Sequence, residues 1–154
     1  MDSQANDLID SFAARLAETA HRWRNTLDVR LGPLGLSQAR GLILHYLANH
    51  GDGLKQNVLA DIVGIRGSTL VRQLDRLEAD GLVERHSDPD DRRAKTIHLA
   101  EKAAPVITEL ERHIRELRRE LLSGLTEEQL GICFDVFDHV QSRIDTNNEK
   151  ETKE

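Results

Sequence analysis

The stretch Ser68-Thr-Leu-Val-Arg-Gln-Leu-Asp-Arg-Leu-Glu-Ala-Asp-Gly-Leu-Val-Glu-Arg85, continuing through Asp88-Pro-Asp-Asp-Arg-Arg93 to Lys95-Thr-Ile-His-Leu99, decides the fold of this chain. Leu70, Leu74 and Leu77 recur at helical spacing, which predicts an amphipathic helix to about Asp80. Gly81 supplies the left-handed residue that closes it. Leu82-Val-Glu-Arg-His86 and Lys95-Thr-Ile-His-Leu99 alternate in polarity around a Pro/Asp-rich turn, the pattern of a two-stranded hairpin or wing. Just upstream, Val58, Leu59 and Ile62 predict a short helix over about Lys55 to Val63, and Gly64 marks the turn that follows.

Working outward, Leu8, Phe12, Leu16, Trp23 and Leu27 predict a long helix from Asp7 to about Leu31, stopped by Gly32-Pro33. Ser37 suits the cap of a helix running to about Asn49, with Leu42, Ile43, Tyr46 and Leu47 facing inward. Another long helix spans Glu101 to about Ser123, with Val106, Ile107, Leu110, Ile114, Leu117 and Leu121 on one side. Thr126-Glu-Glu-Gln129 is a capping box opening a last helix, whose inward residues are Leu130, Phe134, Phe137, Val140 and Ile144. The polar run Thr146 to Glu154 reads as disordered. The fold class is therefore mostly α with a small β-hairpin.

At 154 residues the chain suits one domain or two small lobes sharing a core. The terminal helices carry apolar stripes too long for the central module to cover. Packing of two chains about a two-fold axis is favoured over a monomer whose terminal helices pack on each other. No run approaches the ~20 apolar residues of a membrane span. Met1-Asp-Ser-Gln4 lacks the start of a secretory signal, so a cytoplasmic protein is expected. The single cysteine, Cys133, rules out an intramolecular disulfide and is expected to be a buried thiol.

The net charge of −6 does not suggest a polyanion as partner. The local pattern is more informative. From Leu54 to Leu99 there are eight cations (Lys55, Arg66, Arg72, Arg76, Arg85, Arg92, Arg93, Lys95) and eight anions (Asp61, Asp75, Glu78, Asp80, Glu84, Asp88, Asp90, Asp91). Any positive footprint must come from how these charges sort between faces. With Arg72 at zero and ~100° per residue, Ser68, Thr69, Gln73 and Arg76 fall within ~100° of it, while the leucines cluster at ~140–200°. Such a donor face suits the major groove of DNA, where base edges present acceptors to Arg and Gln. Ser68 and Thr69, near the helix start, suit phosphate. A solvated hairpin needs turn formers but not paired arginines. Arg92 and Arg93 at its tip suit a narrow minor groove, and one of Asp88, Asp90 or Asp91 can pair with an arginine to brace the loop.

The segment Ser68 to Arg85, with Asp91-Arg-Arg-Ala-Lys95 and Leu99-Ala-Glu-Lys-Ala103, resembles the MarR family, and within it the SlyA-like branch. Trp23-Arg24, Arg30-Leu-Gly-Pro-Leu34 and Leu36-Ser-Gln38 match that branch too. The resemblance implies a winged helix-turn-helix lobe at residues 36–99. It also implies dimerisation helices at residues 1–35 and 100–146, with residues 147–154 as a tail. It implies a homodimeric transcription factor, repressor or activator, on palindromic double-stranded DNA. Arg72 stands where the branch places a DNA-contacting arginine, Arg93 matches the wing-tip arginine, and Asp91 matches the aspartate that braces the wing. A small aromatic acid as effector is a weaker implication, with Arg24 and His45 at the pocket positions. Gly41 departs from the pattern, because SlyA has tryptophan there.

An enzyme is disfavoured: there is no Gly-rich phosphate loop, no metal-type histidine spacing and no nucleophile with a base in pattern, so no cofactor or metal is expected. A protein-docking module is the other rival. Its outer helix face would be apolar, and Thr69, Arg72, Gln73 and Arg76 argue against that.

Overall fold

The computed structural model describes residues 3–51, 53–91 and 94–151. Ten elements follow in order. They are α1 (Ser3–Leu31), a 3-10 turn (Gly32–Leu34), α2 (Gln38–His50), β1 (Leu54–Lys55), α3 (Gln56–Val63) and α4 (Gly67–Ala79), then β2 (Val83–Ser87), β3 (Lys95–Leu99), α5 (Ala103–Leu121) and α6 (Glu127–Glu151). The protein is mostly helical with one small antiparallel sheet, ordered β1-β3-β2. The chain divides into two compact units, one ending at Leu117 and one beginning at Arg118.

Local chemistry sets the helix ends. The Ser37 hydroxyl accepts the Arg40 N–H at 3.4 Å and caps α2. Gly64, at φ +71°, donates its N–H to the Ala60 and Asp61 carbonyls and ends α3. Gly81, at φ +72°, lets its own N–H reach the Glu78 carbonyl and the Leu82 N–H reach that of Leu77, both at 2.9 Å. This pair of bonds satisfies the last carbonyls of α4. The Thr126 and Gln129 side chains each accept the other's backbone N–H, completing the capping box of α6.

The core of the first unit is a leucine-rich cluster. Leu70, Leu74 and Leu77 of α4 are wholly buried against Leu31, Ile43, Leu44, Leu47, Leu59, Ile97 and Leu110, with Val83, Ile114 and Leu117 closing the sides. Burying one such side chain contributes about 1.5–3 kcal/mol, so the α4 stripe anchors the helix by one face and leaves the other to solvent.

Several expectations are corrected here. The wing has a third strand: Leu54 and Lys55 pair with Ile97 and Thr96 of β3, so Lys55 belongs to β1 and α3 starts at Gln56. A two-residue strand is too short to leave an alternating pattern. Val58 is exposed, and Ala60 takes the inward position beside Leu59. The run from Thr146 is helical through Glu151, not disordered. It contains neither glycine nor proline, and the Thr146 hydroxyl donates to the Ser142 carbonyl at 2.9 Å. Residues 152–154 of that expected tail lie outside the described residues. Phe134, Phe137 and Ile144 of α6 are exposed rather than inward. Leu8, Phe12 and Leu16 of α1 are exposed as well, as stripes too long for the central module to cover require. Cys133 is exposed, not buried, on a stretch of α6 where Ile132, Phe134, Val136 and Phe137 are exposed too.

Candidate nucleic-acid interface

The turn Gly64–Arg66 fixes α3 against α4. The Ile65 N–H bonds the Ala60 carbonyl at 3.1 Å, and the Arg66 carbonyl accepts the N–H groups of Thr69 and Leu70. With its leucines buried, α4 presents Ser68, Arg72 and Arg76 to solvent, while Thr69 and Gln73 are half-buried at the edges of that face. The five residues singled out on this helix thus lie on its outer half, although the Gln73 Oε1 is buried and without a hydrogen-bond partner among the described residues.

The charges sort as a positive face would require. Arg85 of β2, a mostly buried side chain, turns towards α4. Its guanidinium meets Asp75 Oδ1 at 2.7 Å and Glu78 Oε2 at 2.8 Å and donates to the Val71 carbonyl at 3.1 Å. Asp80 is held by Arg40 at 3.2 Å, and its carbonyl accepts from Lys102 Nζ at 2.8 Å. Glu84 meets His86 at 3.1 Å. No ion pair engages Arg66, Arg72 or Arg76 among the described residues. A segment neutral by count therefore leaves Arg66, Arg72 and Arg76 without ion pairs among the described residues while Asp75, Glu78, Asp80 and Glu84 are engaged.

The hairpin pairs Val83 with Leu99 through to Ser87 with Lys95. Beyond it the Asp88 N–H donates to the Ala94 carbonyl at 3.1 Å and the Ala94 N–H to the Asp91 carbonyl at 2.9 Å. The Asp88 carboxylate is buried. It accepts the Asp90 N–H at 2.9 Å and pairs with Lys55 Nζ at 2.8 Å, bolting the tip to β1. Lys55, then the Asp90 amide, holds the Asp88 carboxyl below the ordinary carboxylate range, and Asp88 raises the Lys55 ammonium. Asp88 takes Lys55, a residue that sequence reading did not single out; the expected pairing of a turn aspartate with Arg92 or Arg93 involves residues outside those described. Asp91 is exposed. Arg92 and Arg93 lie outside the described residues.

Arg24 is exposed on α1. His45 is half-buried on α2, where Nδ1 lies 2.5 Å from Glu111 Oε1 and 3.2 Å from Asn49 Nδ2. No hydrogen bond or ion pair joins Arg24 to His45 among the described residues. Gly41 is packed: a Cβ there would lie 2.5 Å from Leu31 Cδ1 and 3.2 Å from Leu110 Cδ1. The space a larger side chain would need is filled by two leucines. Among the described residues no group of three or more His, Cys, Asp or Glu side chains gathers as a metal site, and no helix is long and apolar enough to cross a membrane.

A profile of the MarR family matches residues 34–94, the span from the 3-10 turn to the wing tip. The crystal structure of the transcriptional regulator PA3341 superposes with a TM-score of 0.81 at 42% identity, covering 88% of this chain and 98% of that one. The chain belongs to the MarR family. A MarR-family regulator from Silicibacter pomeroyi is 28% identical over 90% of this chain and 94% of its own, with a TM-score of 0.75. SlyA, at 20% identity, 88% and 95% coverage and a TM-score of 0.76, shares the fold. The protein is thus a DNA-binding transcriptional regulator with a winged-helix fold rather than an enzyme, and the family match spans α4 and the β2–β3 hairpin as far as Ala94.

Arg85, Lys55, Arg40 and Lys102 were not singled out by sequence reading. Each acts on a carboxylate or carbonyl far along the chain, so no local spacing marks them. The only local signal was the alternation that puts Arg85 on the opposite face of β2 from Glu84 and His86.

Proposed function

We propose that this MarR-family regulator acts as a homodimer on palindromic duplex DNA. In this reading α4 enters the major groove through Ser68, Thr69, Arg72, Gln73 and Arg76, and the wing carries Arg92 and Arg93 into the neighbouring minor groove, with Asp91 and Asp88 bracing the tip. The observation that carries it is the face of α4, where Arg72 and Arg76, with Arg66 just before the helix, are without ion pairs among the described residues while Asp75 and Glu78 are engaged from β2. Two copies about a two-fold axis place their recognition helices about one duplex turn apart.

The dimer reading is supported by apolar residues that the single chain leaves exposed. These are Leu8, Phe12 and Leu16 on α1, and Ile132, Phe134, Phe137 and Ile144 on α6. Each helix by itself thus exposes several large apolar side chains, as an interaction surface does. Residues 1–35 and 100–146 then serve dimerisation, residues 36–99 serve DNA binding, and the regulator works in the cytoplasm. The motifs around Trp23-Arg24 and Leu36-Ser-Gln38 support the SlyA-like branch.

A small aromatic carboxylate is the proposed effector. Arg24 supplies an exposed cation for its carboxylate, and His45, with Nδ1 engaged by Glu111, offers Nε2. The packing of Gly41 removes a stacking surface, so the effector differs from one that rests on tryptophan.

Footprinting of the DNA flanking its own gene tests the reading, followed by gel shifts on the protected fragment and a scrambled copy. Two protected half-sites, a preference for the protected fragment and weaker binding by Arg93→Ala are expected. Affinity that stays flat between low and moderate salt rules the groove model out, because phosphate neutralisation releases counterions.

A further inference from the structure

Arg85 is on the wing, yet its guanidinium lies against the recognition helix. It reaches Asp75 Oδ1 at 2.7 Å, Glu78 Oε2 at 2.8 Å and the Val71 carbonyl at 3.1 Å. Its side chain is 18% exposed, against 56% and 44% for the two carboxylates it holds. Such an arginine, fixed by three acceptors, has little freedom to serve as a phosphate contact itself.

What it holds matters more. Asp75 follows Arg72 by three residues, the spacing at which oppositely charged side chains on a helix meet. Asp75 also lies beside Arg72 on the side of Ser68, roughly 60° around the helix axis. Without Arg85, Asp75 would be the nearest carboxylate for Arg72, and Glu78 would add a second anion to the same helix. Both would repel phosphate, and the first would compete with DNA for the arginine.

We propose that Arg85 is a positioning residue for DNA binding: by holding Asp75 and Glu78 from β2, it keeps them away from Arg72 and leaves the recognition-helix guanidiniums available to duplex DNA. The bond to the Val71 carbonyl ties the wing to α4, so groove and minor-groove contacts are set by one side chain. The inference rests on the reading that α4 faces DNA.

The test uses the full chain and a fluorescein-labelled duplex of mixed sequence several turns long, with affinity measured across a salt series. Arg85→Met is expected to weaken binding about tenfold and to flatten the salt slope by about one charge. Adding Asp75→Asn and Glu78→Gln to Arg85→Met is expected to restore most of the loss, which a packing role would not allow. Arg85→Lys, whose single nitrogen lacks the two-pronged fork that spans these acceptors, is expected to fall between.

A second measurement does not depend on how Arg85→Met folds. With Arg85 present, Asp75→Asn with Glu78→Gln is expected to change affinity less than threefold, since Arg85 already holds both carboxylates away from Arg72. A tenfold gain there overturns the proposal, as does an Arg85→Met loss that neutralising both carboxylates leaves untouched while Arg72→Ala still weakens binding. If Arg72→Ala binds like wild type, the groove reading has failed and Arg85 falls with it.

Discussion

Lys55 Nζ on β1 lies 2.8 Å from the buried carboxylate of Asp88 at the base of the wing tip. The same carboxylate accepts the Asp90 N–H at 2.9 Å, so one side chain joins the edge strand to the turn. This is where the hairpin stops being an isolated ribbon, which would be marginal alone, and becomes part of the lobe that carries α4.

The pair gives the wing an acid limit. The folded-state Asp88 value lies below the ordinary carboxylate range, so its contribution is complete above that range and is lost as pH falls through the lower folded value. The Lys55 ammonium is raised, so its contribution holds below the ordinary lysine value and is lost only as pH rises through the folded one. Asp88→Asn should lower the melting temperature at neutral pH, and the gap to wild type should close in acid. Amide exchange at Asp90 and Ala94 should quicken in the variant. Melting curves that run parallel from neutral to strongly acidic pH would show that the pair does not matter.

Arg72→Ala should cost about 1–3 kcal/mol on a cognate site if the guanidinium reads a guanine edge, and less on scrambled DNA. Its removal should leave the melting temperature nearly unchanged, because Arg72 is exposed. Equal losses on both duplexes would reassign it from base reading to phosphate contact.

The seam of the proposed dimer can be probed on α6. Phe134 is 61% exposed, so Phe134→Asp should halve the sedimentation mass while leaving the fold of each chain intact. Leu117, which an apolar stripe on α5 suggests as a seam residue, is a poor choice: it is 1% exposed in its own chain's core, and Leu117→Asp would bury a charge and unfold the lobe. An unchanged mass for Phe134→Asp, with Phe12→Asp dissociating, would move the seam to α1.

Gly41→Trp should destabilise rather than restore a pocket wall. A Cβ already meets Leu31 Cδ1 at 2.5 Å and Leu110 Cδ1 at 3.2 Å, and overpacking of this kind costs about 1–3 kcal/mol or more. The midpoint of chemical unfolding should fall. A variant as stable as wild type that also gains affinity for an aromatic carboxylate would mean that Leu31 yields easily and the pocket opens.

Elements set by neighbours in the chain were legible beforehand. Ser37, Gly64, Gly81 and the Thr126–Gln129 box end or begin helices as read, because caps and left-handed glycines act within a turn. The leucines of α4 are buried as their period requires. The reading failed where pairing is remote or short. β1 is two residues long, Phe134, Phe137 and Ile144 of α6, assigned inward, are exposed in the single chain, and Cys133 is exposed with them.

From sequence alone came a winged-helix lobe with a donor-rich helix face and an arginine-tipped turn, since periodicity and capping are properties of contiguous residues. Only the fold decided which charges that face would present. Lys55 finds Asp88, Arg40 finds Asp80, and Arg85 finds Asp75 and Glu78 across separate elements. An electrostatic partner is chosen by distance in space, and a charge count along the chain carries no record of it.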